Sequence, residues 1–153
     1  MVYLVTVPSG KLYYFESSQD LEISDFVLVE YPTLHNRNKQ TVFKVIGKYT
    51  ENINQITIAH ATIISNALIV NVFRCSTLSN EFLKECFSPQ IYAVSIGFDR
   101  SNKTYDFIGY GRYNKNDLVV VETEYQYLIA KIEGLKDETS YDGELKEIMC
   151  IAK

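Results

Sequence analysis

Cysteine, histidine and long apolar runs are all scarce in this 153-residue sequence. The 3 cysteines, Cys75, Cys86 and Cys150, are odd in number and contain no Cys-x-x-Cys spacing. This argues against both a disulfide framework and a zinc site, and reduced thiols in a cytoplasmic setting are the expectation. The N-terminal Met-Val-Tyr-Leu-Val has no basic segment and no small-residue cleavage site, so no signal peptide is expected. The most apolar stretch, Ala61 to Phe73, is interrupted by Ser65, Asn66 and Asn71 and is too short to span a bilayer; no membrane partner is expected. With only 2 histidines, His35 in a polar segment and His60 between Ala59 and Ala61, no nucleophile–base pairing is suggested by spacing. The reading is therefore non-enzymatic, with no cofactor and no metal. Asp137, Glu138, Asp142, Glu144 and Glu147 lack the alternating acids and glycine of a calcium loop and read as a solvated turn. Gly109-Tyr110-Gly111 is half of a phosphate-binding fingerprint with no following helix, and reads as a turn.

What the chain does contain is one β-rich pattern written twice. Tyr3-Leu4-Val5-Thr6-Val7, Lys11-Leu12-Tyr13-Tyr14-Phe15 and Asp25-Phe26-Val27-Leu28-Val29-Glu30 are answered by Tyr92-Ala93-Val94-Ser95-Ile96, Lys103-Thr104-Tyr105-Asp106-Phe107 and Asp117-Leu118-Val119-Val120-Val121-Glu122. From Lys11/Lys103 to Glu30/Glu122 the offset is a constant 92 residues, and it falls to 87 where Ile129–Gly134 answers Val42–Gly47. A repeat of this kind governs the architecture. The fold class expected is mainly β, with two tandem small antiparallel barrels related by internal duplication and joined by one short helix. The boundaries are residues 1–75 for the first repeat, 76–90 for a helical linker and 91–153 for the second.

Period-two alternation and turn residues predict the strands. Val2–Val7 and Lys11–Glu16 form a hairpin about Pro8-Ser9-Gly10; Asp25–Glu30 and Thr41–Gly47 follow, with a long connection from Tyr31 to Gln40 between them. Ile53–Ile58 and Ile63–Phe73 supply one or two more. In the second repeat Ser101-Asn102 turns the first hairpin, Glu124–Gln126 the next, and Ile148–Ala152 closes the chain. Between the repeats Leu78, Phe82, Leu83, Cys86 and Phe87 lie on one side of a helix capped by Ser76 or Ser79 and stopped by Pro89, and this stripe is expected in the core.

Asn116-Asp117-Leu118-Val119-Val120-Val121-Glu122-Thr123 with Ala130-Lys131-Ile132 resembles the pattern G-D-x-V-V-V-[DE]-T-x-x-G-x-x-x-A-x-V of small SH3-like β-barrel units, found in many short phage-encoded proteins of low-GC bacteria. Lys103-Thr104-Tyr105-Asp106-Phe107 is similar to their K-x-Y-x-F strand, and Ile148–Ile151 to their closing strand. Ser24 and Asn116 stand where that pattern has glycine. Independently of any family, the aspartate accepts hydrogen bonds from backbone N–H groups of its turn, so Asp25 and Asp117 are expected to be structural. The resemblance implies a phage or mobile-element protein that occupies a host protein, such as an inhibitor of a defence or nucleic-acid-processing system, an anti-CRISPR among them.

Two segments are expected to carry recognition. Tyr31 to Lys48 holds His35, Arg37, Lys39, Lys44 and Lys48 and no acid, inside a chain of net charge −4. Tyr110, Arg112 and Tyr113, with Tyr125 and Tyr127 farther on, combine tyrosine and arginine as protein interfaces do. The partner-binding residues expected are Tyr31, His35, Arg37, Lys39, Tyr110, Arg112 and Tyr113, with a host protein as partner. Single-stranded nucleic acid is the alternative, the basic segment on phosphates and the tyrosines stacked on bases, although the net acidity weakens it. A homodimer would extend the internal symmetry.

Overall fold

The computed structural model describes residues 1–35, 37–74, 80–96, 103–111, 113–141 and 143–152. The chain is mainly β and divides into two units, Met1–Phe73 with Glu124–Tyr127, and Arg74–Thr123 with Leu128–Lys153. No described helix is long and apolar enough to cross a membrane.

The first unit contains β1 (Val2–Thr6), β2 (Leu12–Glu16), β3 (Phe26–Pro32), β4 (Asn38–Tyr49), β5 (Ala61–Ile63) and β6 (Leu68–Phe73). Gly10, at φ +88°, donates its N–H to Val7 O at 2.9 Å and turns β1 into β2, a backbone conformation open to a residue without Cβ. The strand order is β5-β2-β1-β4-β3-β6, antiparallel throughout except for β5, which runs parallel to β2. Tyr3, Val5, Phe15, Leu21, Val27, Val29, Phe43 and Val45 are fully buried between these strands.

The second unit contains α1 (Asn80–Cys86), β7 (Gln90–Ile96), β8 (Tyr105–Gly109), β9 (Leu118–Glu122), β10 (Tyr127–Lys136, all but its first residue) and β11 (Ile148–Ile151). Its order is β8-β7-β10-β9-β11. The register reproduces that of the first unit down to its irregularities. Tyr3 faces Phe15 as Tyr92 faces Phe107. The β1–β4 ladder skips Ile46 and the β7–β10 ladder skips Glu133. Between β3 and β6 the skipped residue is Val70, and between β9 and β11 it is Met149. Tyr92, Val94, Phe107, Val119, Val121, Ala130, Ile132 and Ile148 form the core of this unit.

The aspartate turns also correspond atom for atom. Asp25 Oδ2 accepts from Glu22 N at 2.9 Å and Asp117 Oδ2 from Asn114 N at 2.8 Å. Ser24 N–H donates to Val45 O and Asn116 N–H to Ile132 O, each at 2.8 Å, and Ser24 and Asn116 sit at φ +79° and +74°. Val45 and Ile132 are a pair at the offset of 87 read from the sequence. Each unit further has a tyrosine hydroxyl clamping the chain ahead of that turn. The Tyr3 hydroxyl donates to Gln19 O (2.8 Å) and accepts from Leu21 N (3.0 Å); the Tyr92 hydroxyl lies 3.0 Å from Gly111 O and 3.5 Å from Tyr113 N.

Several expectations are corrected. The sheet is not closed as a barrel. In the first unit the stretch that would close it is split into β5 and β6 by a turn holding Asn66 at φ +56°. In the second the link is a single parallel bridge, Ile108 to Glu147, with Ile108 N–H donating to Lys146 O at 2.9 Å. Ile53–Ile58 is not a strand: Ile53–Gln55 is a 3-10 turn, because Asn52 caps it by accepting from Asn54 N at 3.1 Å. The Tyr31–Gln40 connection is strand at both ends, since Glu30, Tyr31 and Pro32 go on pairing with Gln40, Lys39 and Asn38. The one short helix is present, but its apolar stripe is not in the core as expected: Leu83 is half-buried while Phe82 and Phe87 are exposed. The proposed caps Ser76 and Ser79, together with Leu78, Cys75 and the Ser101-Asn102 turn, lie outside the described residues.

Candidate interaction surfaces

The extended β3–β4 hairpin holds the first set of predicted residues. Backbone pairing carries it past the core, and its tip is tied by Thr33, whose N–H and Oγ1 both donate to Arg37 O at 2.8 Å. Tyr31 faces inward: its hydroxyl is 3.0 Å from Thr41 Oγ1 and its ring centroid 6.2 Å from that of Phe43. It braces the hairpin from the core side. His35, Arg37 and Lys39 are exposed. Beyond the last strand pair, Pro32 with Asn38, lies Leu34, which is 100% exposed. The site prediction did not include it, although it is the one large aliphatic side chain between Tyr31 and Val42. Lys48, at the far end of β4, is bound to Asp20 at 2.8 Å, and this hydrogen bond raises its pKa above the ordinary lysine value. Arg37 and Lys39 are thus exposed near the tip, while Lys44 is half-buried in β4 and Lys48 is held by Asp20.

The second set divides differently. Tyr113 belongs to the core, its ring edge-on to Tyr92 with centroids 5.3 Å apart. Gly109 makes room for it: a Cβ there would come within 2.8 Å of the Tyr113 ring, so this glycine serves packing. Tyr110 is half-buried, with Lys84 Nζ 5.2 Å from its ring centroid and its hydroxyl 3.5 Å from Glu147 Oε1. Lys84 in turn pairs with Glu147 at 2.8 Å, a hydrogen bond that raises the lysine pKa. Tyr110 thus helps hold α1 on its own unit. Arg112 lies outside the described residues. Tyr125 is 69% exposed and Tyr127 is buried.

A third surface was not foreseen. The outer edge of β8 opens on a groove of about 620 Å³ whose walls include Tyr105, Asp106, Lys136, Tyr141, Leu145 and Lys146. Asp106 accepts from Thr139 Oγ1 at 2.6 Å and from Lys136 at 3.1 Å. Burial pushes its carboxyl up, but the hydrogen bonds from Thr139 and Lys136 outweigh this and leave its pKa below the ordinary value. A lone Asp in a Lys-x-Tyr-x-Phe strand carries no local signal of this, because its partners are far along the chain.

Among the described residues no three His, Cys, Asp or Glu side chains come together as metal ligands. His60 is an exposed turn residue at φ +63° in the first unit; Cys86 is exposed in the second, and Cys150 is buried. Asp142, from the acidic segment, is outside the described residues. No protein-family model, curated protein or solved structure matches the chain.

Proposed function

We propose that the chain is a tandem of two SH3-like units derived from one ancestral module, and that it works as a non-enzymatic binding protein with the β3–β4 hairpin as its contact element. The matched skips, aspartate turns and tyrosine clamps support common descent, since independent sheets have no reason to share three separate irregularities. The reading rests above all on Leu34. Leu34 is fully exposed on a tied hairpin tip, and burying it at an interface would be worth about 2 kcal/mol. His35, Arg37 and Lys39 surround it without an acid in the segment, which favours a partner with an apolar pocket rimmed by carboxylates. By the resemblance to phage-encoded units, that partner is a host protein, and the outcome is inhibition of a defence or nucleic-acid-processing system of the anti-CRISPR kind. Single-stranded nucleic acid is the weaker reading, because Tyr113 and Tyr110 are engaged in packing and are poorly placed for base stacking.

The test is affinity capture from host lysate, with and without nuclease, using the wild type and the triple variant Leu34→Asp, Arg37→Glu, Lys39→Glu. A nuclease-resistant protein partner retained by the wild type and lost by an equally stable variant is the expected result. Equal retention by both removes the hairpin as the contact, and loss of the captured material on nuclease treatment transfers the function to nucleic acid.

A further inference from the structure

The most apolar run of the sequence, residues 61–73, enters the core only in part. Ile64 belongs to the first unit's core, and Ala67, Ile69 and Val72 pack against it. Side chains next to inward ones along a strand point the other way, and Ile63, Leu68 and Val70 are 48%, 59% and 47% exposed. Thr62, Ser65, Asn66 and Asn71, which lie among them, are exposed as well. None of residues 61–73 is charged. They form β5 and β6, which stand at the two ends of the first unit's strand order. Strands so placed commonly carry lysine or other charges that discourage pairing with another chain; these two carry none. The second unit provides the contrast. Since the skips at Val70 and Met149 correspond, Leu68 answers Glu147, and that glutamate is held by Lys84 at 2.8 Å. One strand position is thus a paired charge in the second unit and an exposed leucine in the first. Exposed aliphatic side chains grouped among uncharged polar ones mark an interface.

We propose that the outer face of β5 and β6 is a homodimer surface, met by the same face of a second copy of the chain across a twofold axis. In such a contact one patch serves both copies, so a charge at its centre would face a like charge. A patch of aliphatic, serine, threonine and asparagine side chains meets itself without that penalty. A foreign partner selected by charge would find nothing here to read, in contrast to Arg37 and Lys39 on the β3–β4 hairpin. The composition also suits a homodimer interface, which is more apolar than a transient one. The only acid in register with β6, Glu30 opposite Leu68, accepts from Gln40 Nε2 at 3.4 Å. Dimerisation presents two β3–β4 hairpins, yet the inference stands on β5 and β6 alone and is independent of the hairpin as a contact surface.

Sedimentation velocity of the full-length chain over a range of concentrations tests this. A monomer–dimer equilibrium is expected, unchanged by Leu34→Asp. The double variant Leu68→Glu, Val70→Glu, which sets like charges across the axis, should weaken it about a hundredfold or more. Denaturant unfolding checks that each variant keeps its fold. If the double variant is less stable, dilution of the wild type followed by NMR decides: the methyl resonances of Ile63, Leu68 and Val70 should move with concentration while those of Leu34 stay. The proposal is overturned by a chain that remains monomeric to about 1 mM, where association is too weak to be specific. It is equally overturned by a dimer that survives the stable double variant, by one lost in Leu34→Asp, or by methyl shifts at Leu34 alone. Growth beyond the dimer rules out the twofold contact, since a closed pair leaves no free face. A monomeric wild type that captures a foreign protein through Leu68 and Val70 overturns the second copy in favour of that partner.

Discussion

Replacing Tyr3 and Tyr92 by phenylalanine, one at a time, separates what the paired clamps contribute. In the first unit the change deletes an acceptor at 3.0 Å from the N–H of Leu21, a fully buried residue, and a donor to Gln19 O. A buried N–H left without its partner costs about 1–3 kcal/mol, and losing the second bond adds about 0.5–1 kcal/mol. The expected loss for Tyr3→Phe is therefore about 1.5–4 kcal/mol. In the second unit the Tyr113 N–H is already 3.5 Å from the hydroxyl and only part-buried, and Gln90 Oε1 at 2.9 Å stands beside Gly111 O as an alternative acceptor. Tyr92→Phe should cost about 1 kcal/mol. Denaturant unfolding with separate probes for the two units measures both, and a domain of this size converts each kcal/mol into about 2–4 °C of Tm. An equal or larger loss at Tyr92, or losses below about 0.3 kcal/mol at both, would refute the assignment of the hydroxyls as clamps.

Ser24→Gly should stabilise the first unit by about 1 kcal/mol, since serine is held at φ +79°, while Asn116→Gly should gain less because asparagine tolerates that region; chemical denaturation of the two variants ranks them. Asp106 has a folded-state pKa below its ordinary value of 3.8, so its contribution is present above that value and is lost as pH falls through the lower, folded-state one. Acid unfolding should therefore steepen below about pH 4 in the wild type and flatten in Asp106→Asn, followed by circular dichroism; parallel acid limbs would count against the Lys136–Thr139 cage.

Local chemistry made much of the fold legible in advance. Alternation and turn residues specify β1, β2, β9 and β11 because each depends on neighbours within a few positions. The constant offset of 92 located both aspartate turns, and its drop to 87 aligned Val45 with Ile132, since an Asp capping its own turn and valines packing behind it act over a short span. Less of the candidate surfaces could be read. Tyr31 and Tyr113 look like contact residues by type, yet both are drawn inward by rings that lie far away in sequence, Phe43 and Tyr92.

The sequence by itself determined a mainly β chain, a repeated strand order and the polar turns that start each repeat's valine strand. Tertiary structure decided how far β3 and β4 extend, because ladder hydrogen bonds use the backbone and accept the polar side chains of Asn38, Lys39 and Gln40. It also decided that β5 covers the edge of β2 and that Asp106 is caged by Lys136 and Thr139. Pairings of that kind join residues tens of positions apart, and no local preference encodes which edge is filled.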